Sequence, residues 1–212
     1  MSLEEALGPL AASLASPGVH LGAKAIKAGD EAAFLDPALE STPENLNRRR
    51  ASGAARILAG RLLRRLGGMS DAAVGRLESG APRWPGGILG SIAHDAEDVI
   101  VAVARAGGRT SSLGVDIEPA APLPVDLAAF VLTPGERRFC AGDALLARRC
   151  FAVKEAVYKA INPLDGSPLE YCDISCAENG VSARIADGRR LRVFSVMAPK
   201  IVVVATLDGF GG

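Results

Sequence analysis

No stretch of this 212-residue chain approaches the roughly 20 consecutive apolar residues that a membrane-spanning helix needs, although 49% of its residues are apolar. That argues against a helical membrane protein and leaves ample material for a packed core. A net charge is missing too. Lys plus Arg number 24 and Asp plus Glu 24, so no global field draws the chain to nucleic acid or a membrane surface, and any charge that matters must be local. Paired C-x-x-C spacing is absent: Cys140, Cys150, Cys172 and Cys176 all fall in the second half, and no histidine stands near Cys172 and Cys176 to complete a metal set. They read as reduced thiols acting as small hydrophobes. The opening MSLEEALGPLAASLASPGVH carries no basic leader ahead of its apolar stretch, so a soluble, cytoplasmic protein is expected. Histidine is scarce. His20 lies in a featureless stretch and reads as structural, which leaves His94.

What is present is unevenly distributed. Arg48, Arg49, Arg50, Arg56, Arg61, Arg64 and Arg65 cluster in a segment that reads as a helix from Pro43 to Gly67. Ser41 or Thr42 would cap it, Leu46, Ile57, Leu58, Leu62, Leu63 and Leu66 would form its buried stripe, and Gly67 and Gly68 would end it. Gly80 to Gly90 contains Ala-Pro-Arg-Trp-Pro-Gly-Gly and must be a shaped loop, because two prolines flank Arg83 and Trp84. Ser91, just beyond, reads as making local hydrogen bonds. Val99–Ala104 and Ile201–Ala205 are short, β-branched and buried in pattern. They also align with each other, Ile100 on Ile201, Val103 on Val204, Ala104 on Ala205 and Gly108 on Gly209, which suggests two similar halves. A third strand, Leu113 to Glu118, ends at Pro119 before a linker, Ala-Ala-Pro-Leu-Pro. Helices are expected over Thr133–Cys140 and Ala144–Ala160, and antiparallel strands over Tyr171–Ala186 and Arg189–Val196. The class is α+β.

Asp116 and Glu118 stand two apart on the third strand, so both project from one face while Val115 and Ile117 enter the core. Two neighbouring carboxylates repel unless a cation or basic partner lies between them, and Mg²⁺ is a natural occupant. An isolated Asp-x-Glu is equally the solvated end of a strand. The segment Phe151-Ala-Val-Lys-Glu-Ala-Val-Tyr-Lys-Ala160 sets Ala152, Val153, Ala156, Val157 and Ala160 on one helix face and Phe151, Lys154, Glu155, Tyr158 and Lys159 on the other. An acid between two lysines can grip a phosphorylated ligand around a metal ion. By itself the segment is also consistent with a surface helix carrying an ordinary Glu155–Lys159 pair. His94, where a loop leads into the first buried strand, is the third candidate.

Together, Trp84-Pro-Gly-Gly-Ile-Leu-Gly-Ser-Ile-Ala-His94, Gly114-Val-Asp-Ile-Glu-Pro119 and Phe151-to-Ala160 resemble, in order and spacing, the three signature blocks of the 4'-phosphopantetheinyl transferases, closest to the enterobactin and surfactin synthetase type. Leu58-Ala-Gly-Arg61 and Leu169-Glu-Tyr-Cys-Asp173 echo weaker blocks. The resemblance implies a pseudo-dimer of two similar α+β halves with antiparallel sheets, residues 1–112 and 113–212, and an active site at their interface. It implies transfer of the phosphopantetheine arm of coenzyme A to a serine of an apo acyl or peptidyl carrier protein, in siderophore or other secondary-metabolite synthesis, by a monomer that needs neither nucleic acid nor membrane. Asp116, Glu118 and Glu155 would hold Mg²⁺. His94, Lys154 and Lys159 would contact the coenzyme's phosphates, with Arg61, and Arg56 or Arg50, at the nucleotide end. Glu155 would double as general base, directly or through a water, while His94 and Lys159 would assist departure of the nucleotide phosphate.

The chain departs from the family in four places. Ala93 stands where Ser or Thr is usual, Phe151 where Trp is more familiar, and Gly53 and Ala54 where a basic pair is usual. The basic residue before the Trp-Pro pair is missing, with Arg83 or Arg76 as its substitute. These departures also suit a catalytically weak relative that binds coenzyme A or a carrier protein without transfer.

Overall fold

The computed structural model describes residues 2–34, 42–67, 73–166 and 168–209. The elements in chain order are α1 (Leu3–Ala15), β1 (His20–Ala25), a 3₁₀ turn at Asp30–Ala33, α2 (Leu46–Gly67), β2 (Gly75–Arg76), β3 (Pro82–Arg83), β4 (Ile88–His94), β5 (Asp98–Arg105), β6 (Thr110–Pro119), α3 (Val125–Val131), α4 (Pro134–Phe139), α5 (Ala144–Asp165), a 3₁₀ turn at Tyr171–Asp173, β7 (Ile174–Cys176), β8 (Ser182–Ile185), β9 (Arg190–Val196) and β10 (Lys200–Asp208). The fold is α+β with antiparallel sheets. One sheet runs β1-β5-β4 and the other β6-β10-β9-β8-β7, while β2 and β3 form a small ribbon. No described helix is long and apolar enough to cross a membrane.

The two sheets share a connectivity. In each, a first strand (β1 or β6) leads to a long helix (α2 or α5) and then to a hairpin whose last strand (β5 or β10) lies between the first strand and its hairpin partner. The two strands that align in sequence are these last strands. The domain boundary expected at 112/113 falls inside β6. The expected caps and stop at Ser41 and Gly68 lie outside the described residues.

Alternation along the strands explains the layering. Val99, Val101 and Val103 of β5 pack on α2 through Ala55, Leu58, Ala59 and Leu62, while Ile100, Ala102 and Ala104 turn to the opposite face. There they meet Leu113, Val115 and Ile117 of β6, Val202 and Val204 of β10, and Leu7, Leu10 and Leu14 of α1. Ile201, Val203 and Ala205 point away from this centre onto Ala152, Val153, Ala156, Val157 and Ala160 of α5. The order is therefore helix, sheet, sheet, helix, with α1 contributing to the middle core. Each fully buried Val or Ile adds roughly 1.5–3 kcal/mol, so the strands with both faces covered anchor the molecule. Sequence reasoning gave no role to α1 and β1. Ser91, expected to bond locally, instead accepts a hydrogen bond from Val115 N at 3.1 Å and so joins β4 to β6.

The contact that matters most for the site is between β6 and α5. Gly114 faces the helix so closely that a Cβ there would overlap the Ala156 carbonyl oxygen. Ser112 Oγ, two residues back on the same face, donates to Ala160 O. Small side chains at Ala156 and Ala160 complete the approach. Gly114→Ala should force α5 off the strand, because the obstruction is backbone and cannot swing aside. A stability loss of about 1–3 kcal/mol in urea denaturation is expected, the range for overpacking.

Candidate active site

Asp116 and Glu118 extend the row of Ser112 and Gly114 on the α5 face of β6. Asp116 has an 8% exposed side chain, and Lys159 of α5 reaches its Oδ1 at 2.6 Å. Its Oδ2 is buried with no hydrogen-bond partner among the described residues. Glu118 Oε2 receives Arg148 Nη1 at 2.7 Å, while the same guanidinium donates to Ala121 O and Pro122 O and so pins the linker after β6. Glu155 Oε1 accepts the Tyr171 hydroxyl at 2.5 Å. Three carboxylates are thus each held by one oxygen, from Lys159, Arg148 and Tyr171.

The electrostatics link them. Burial pushes the Asp116 carboxyl from 3.8 up to about 7; Lys159 pulls it down, and the negative charges of Glu118 and Glu155 push it further up. Burial and the Glu155 carboxylate likewise raise the Tyr171 phenol, with smaller contributions from Asp116 and Glu118. The site carries more negative charge than Lys159 offsets. Among the described residues no three His, Cys, Asp or Glu side chains form a metal-holding group.

Sequence reasoning passed over Arg148 and gave Tyr171 no role. Arg148 could have been found, because Arg148, Glu155 and Lys159 recur at two and then one further helical turns along one stripe of α5. Tyr171 sits in a 3₁₀ turn remote in sequence, with Phe130 edge-on at 5.6 Å and Phe151 tilted at 6.0 Å. Phe151, which stands where Trp is more familiar, therefore supports the ring that holds Glu155.

Lys154 corrects the sequence reading. It is fully buried, its ammonium 2.8 Å from Glu136 Oε2 and donating to Val131 O at 2.9 Å and Tyr171 O at 2.8 Å. Glu136 in turn accepts Thr133 N and Cys176 N, each at 2.8 Å. The reason is that α5 has a second covered side, against α3, α4 and the Tyr171 turn, where a surface had been expected. Lys154 therefore cannot reach a bound phosphate. It ties four segments together. The four cysteines are free thiols; Cys140 and Cys150 are buried on this same side of α5 and Cys172 is exposed.

His94 ends β4 and is exposed, its Nδ1 3.2 Å from Asp95 O. It lines a depression of about 270 Å³ together with Arg48, Ser52 and Arg56 of α2, Arg76 of β2 and Pro82 of β3. Among the described residues no acidic side chain lines it. Arg56 forms part of the wall, stacked 4.2 Å from the Phe34 ring centroid and donating to Val74 O and Gly75 O. Arg76 enters where Arg83 or Arg76 had been expected to substitute for a missing basic residue; Arg83 is exposed on β3, opposite Gly75. Arg50 and Arg61 do not line this depression. Arg50 pairs with Glu31 at 3.2 Å, and Arg61 turns to a groove between α1 and α2 because it lies on the opposite side of the helix from Arg48 and Arg56.

Two of the family departures acquire a structural account. Strand alternation sends Ala93 into the central core while Ile92 and His94 face the depression. A Cβ at Gly53 would overlap the Asp30 carbonyl, and Ala54 is buried, so a basic pair has no room there.

Removing the Lys154 ammonium leaves Glu136 buried without its counter-charge, so Lys154→Met should cost about 3–5 kcal/mol in urea denaturation. Asp116 gives a pH signature. Its carboxyl ionises near 3.8 unfolded and near 7 folded, so across that window the unfolded state binds fewer protons and stability falls as pH rises. Asp116→Asn should remove that fall in protein kept in chelator, read from denaturation curves across the window.

Comparison with known proteins identifies the family. The family model "4'-phosphopantetheinyl transferase N-terminal domain" matches residues 39–104, and "4'-phosphopantetheinyl transferase superfamily" matches 112–195. Similar curated proteins include 4'-phosphopantetheinyl transferase Svp of Streptomyces mobaraensis, 36% identical over 139 residues, which are 63% of this chain and 54% of that protein. 4'-Phosphopantetheinyl transferase Npt of Nocardia iowensis is 42% identical over 124 residues, 57% of this chain and 53% of its own. Enterobactin synthase component D of Salmonella typhi is 30% identical over 115 residues, 51% and 46%. The chain spans about half the length of the curated relatives it matches. With both halves matched by models of one family, in the order the signature blocks predict, the chain belongs to the 4'-phosphopantetheinyl transferase superfamily.

Proposed function

We propose that this chain transfers the 4'-phosphopantetheine arm of coenzyme A to a serine of an apo acyl or peptidyl carrier protein, with Mg²⁺, releasing adenosine 3',5'-bisphosphate. The observation that carries the reading is the buried, unpartnered Oδ2 of Asp116, in a group of acids whose other oxygens are held by Lys159, Arg148 and Tyr171. A buried carboxylate oxygen with no donor is costly unless a cation completes it. The donor set fits, because Mg²⁺ prefers oxygen and commonly takes one or two carboxylates, with phosphate and water as the remainder. Asp116, Glu118 and Glu155 would hold the ion, which when bound polarises the coenzyme's pyrophosphate as a Lewis acid.

The chain's own groups account for the rest. His94 with Arg48, Arg56 and Arg76 offers a basic wall for the nucleotide phosphates, and bidentate guanidinium pairing suits such anions. Lys159, part-exposed beside Asp116, is the cation best set to balance charge on the leaving phosphate. Glu155, oriented by Tyr171 through one oxygen, keeps its other oxygen to accept the serine proton. As in other phosphoryl transfers, positioning and charge stabilisation carry most of the catalysis. In this reading the protein works as a cytoplasmic monomer, without nucleic acid or membrane, and carriers of siderophore and secondary-metabolite synthesis are its first candidates.

The test is the mass of an apo carrier protein after incubation with coenzyme A, Mg²⁺ and this chain. Gain of one phosphopantetheine unit supports transfer, and coenzyme binding with no gain would identify a catalytically weak relative instead. Glu155→Gln separates base from ligand. If Glu155 accepts the proton, the variant at saturating coenzyme A should lose about 10²- to 10⁴-fold in kcat at any Mg²⁺ concentration. Near-complete rescue by excess Mg²⁺ would remove it as base.

A further inference from the structure

Lys200 opens β10, opposite Pro119 and one position from the Ile201–Glu118 pair. Its side chain does not run along that sheet. Its ammonium lies 2.7 Å from Asp95 Oδ2, 2.7 Å from Asp98 Oδ2 and 3.0 Å from Glu97 Oε2, with only 15% of the side chain exposed. These acids form the β4–β5 turn. Asp95 Oδ1 accepts the backbone N–H groups of Glu97 and Asp98, each at 2.8 Å, and Asp95 N donates to Asp98 O at 3.0 Å. Burial works against the lysine's charge, but the surrounding carboxylates outweigh it and raise its pKa. Without the lysine, three acids in one tight turn would repel one another.

His94 immediately precedes that turn, and its Nδ1 rests 3.2 Å from the carbonyl of Asp95, the residue whose carboxylate Lys200 holds. A continuous path of contacts therefore runs from the end of the β6–β10 pair, where Glu118 stands, through Lys200 and the Asp95 turn to the imidazole. On the functional reading above, His94 and the carboxylates must grip one coenzyme molecule from different sheets. Their separation has to be fixed.

We propose that Lys200 is a positioning residue for coenzyme binding, acting through the Asp95 turn on His94 and not by touching the ligand. This rests on the functional reading above, and calorimetric titration with coenzyme A keeps the two separable. Wild-type protein that binds no coenzyme A overturns that reading. Given wild-type binding, Lys200→Met should weaken it about 5- to 10-fold, within the range for residues that couple sites without contacting ligand. Lys200→Arg, which preserves the charge, should recover most of the affinity. The deciding arm is a double-mutant cycle with His94→Ala. If Lys200 acts through His94, the double variant binds about as His94→Ala alone. Unchanged binding in Lys200→Met overturns the proposal, and so do losses that multiply in the double variant, since a general weakening of the fold would not depend on the imidazole.

Discussion

The site depends on an absence of atoms. At Gly114 nothing separates the β6 backbone from the Ala156 carbonyl of α5, and the alanines of the helix keep the approach close along its length. Because strand residues two apart share a face, that closeness passes directly to Asp116, and because helix residues three and four apart share a face, it passes to Glu155 and Lys159. A larger residue at Gly114 would separate the charges before it disturbed any of them chemically. The packing comes first, and the chemistry follows from it.

With strand and helix so close, the acids beside them must be restrained. Each is held through one oxygen by a partner of different character: a flexible ammonium on Asp116, a planar guanidinium anchored to two linker carbonyls on Glu118, and a phenol set among aromatic rings on Glu155. This arrangement fixes side-chain rotamers without neutralising every charge, and burial, with the neighbouring acids adding to it, holds the Asp116 carboxyl above its ordinary range. A fully neutralised cluster would be more stable and less able to take up a cation.

Much of this was legible in the sequence where one period governs one face. The buried strands around Val101 and Val203 announced themselves as short β-branched runs, and the shared face of Asp116 and Glu118 followed from alternation alone. Lys154 was misread because a helix with one apolar stripe was taken to have one buried side, whereas α3, α4 and the Tyr171 turn cover another. Nothing local distinguishes a lysine that will meet Glu136 from one that will meet phosphate. Arg50 and Arg61 stand apart from the His94 depression for a related reason: a run of arginines gives local charge, but the turn of the helix decides which ones share a cavity. Tyr171 and Lys200 act across long sequence separations, and such pairings become visible only when the sheets are assembled.

The middle core has an owner that neither family match includes. Leu7, Leu10 and Leu14 of α1 enter it beside strands from both halves, and β1 covers one edge of β5, yet the matched region begins at residue 39. A polypeptide cut to those limits would expose the β5 edge as a template for strands of other molecules and would leave apolar surface beside it. Residues 2–34 thus supply packing that the family-matched regions lack, so the limits of the family match and the limits of the packed core are different places in this chain.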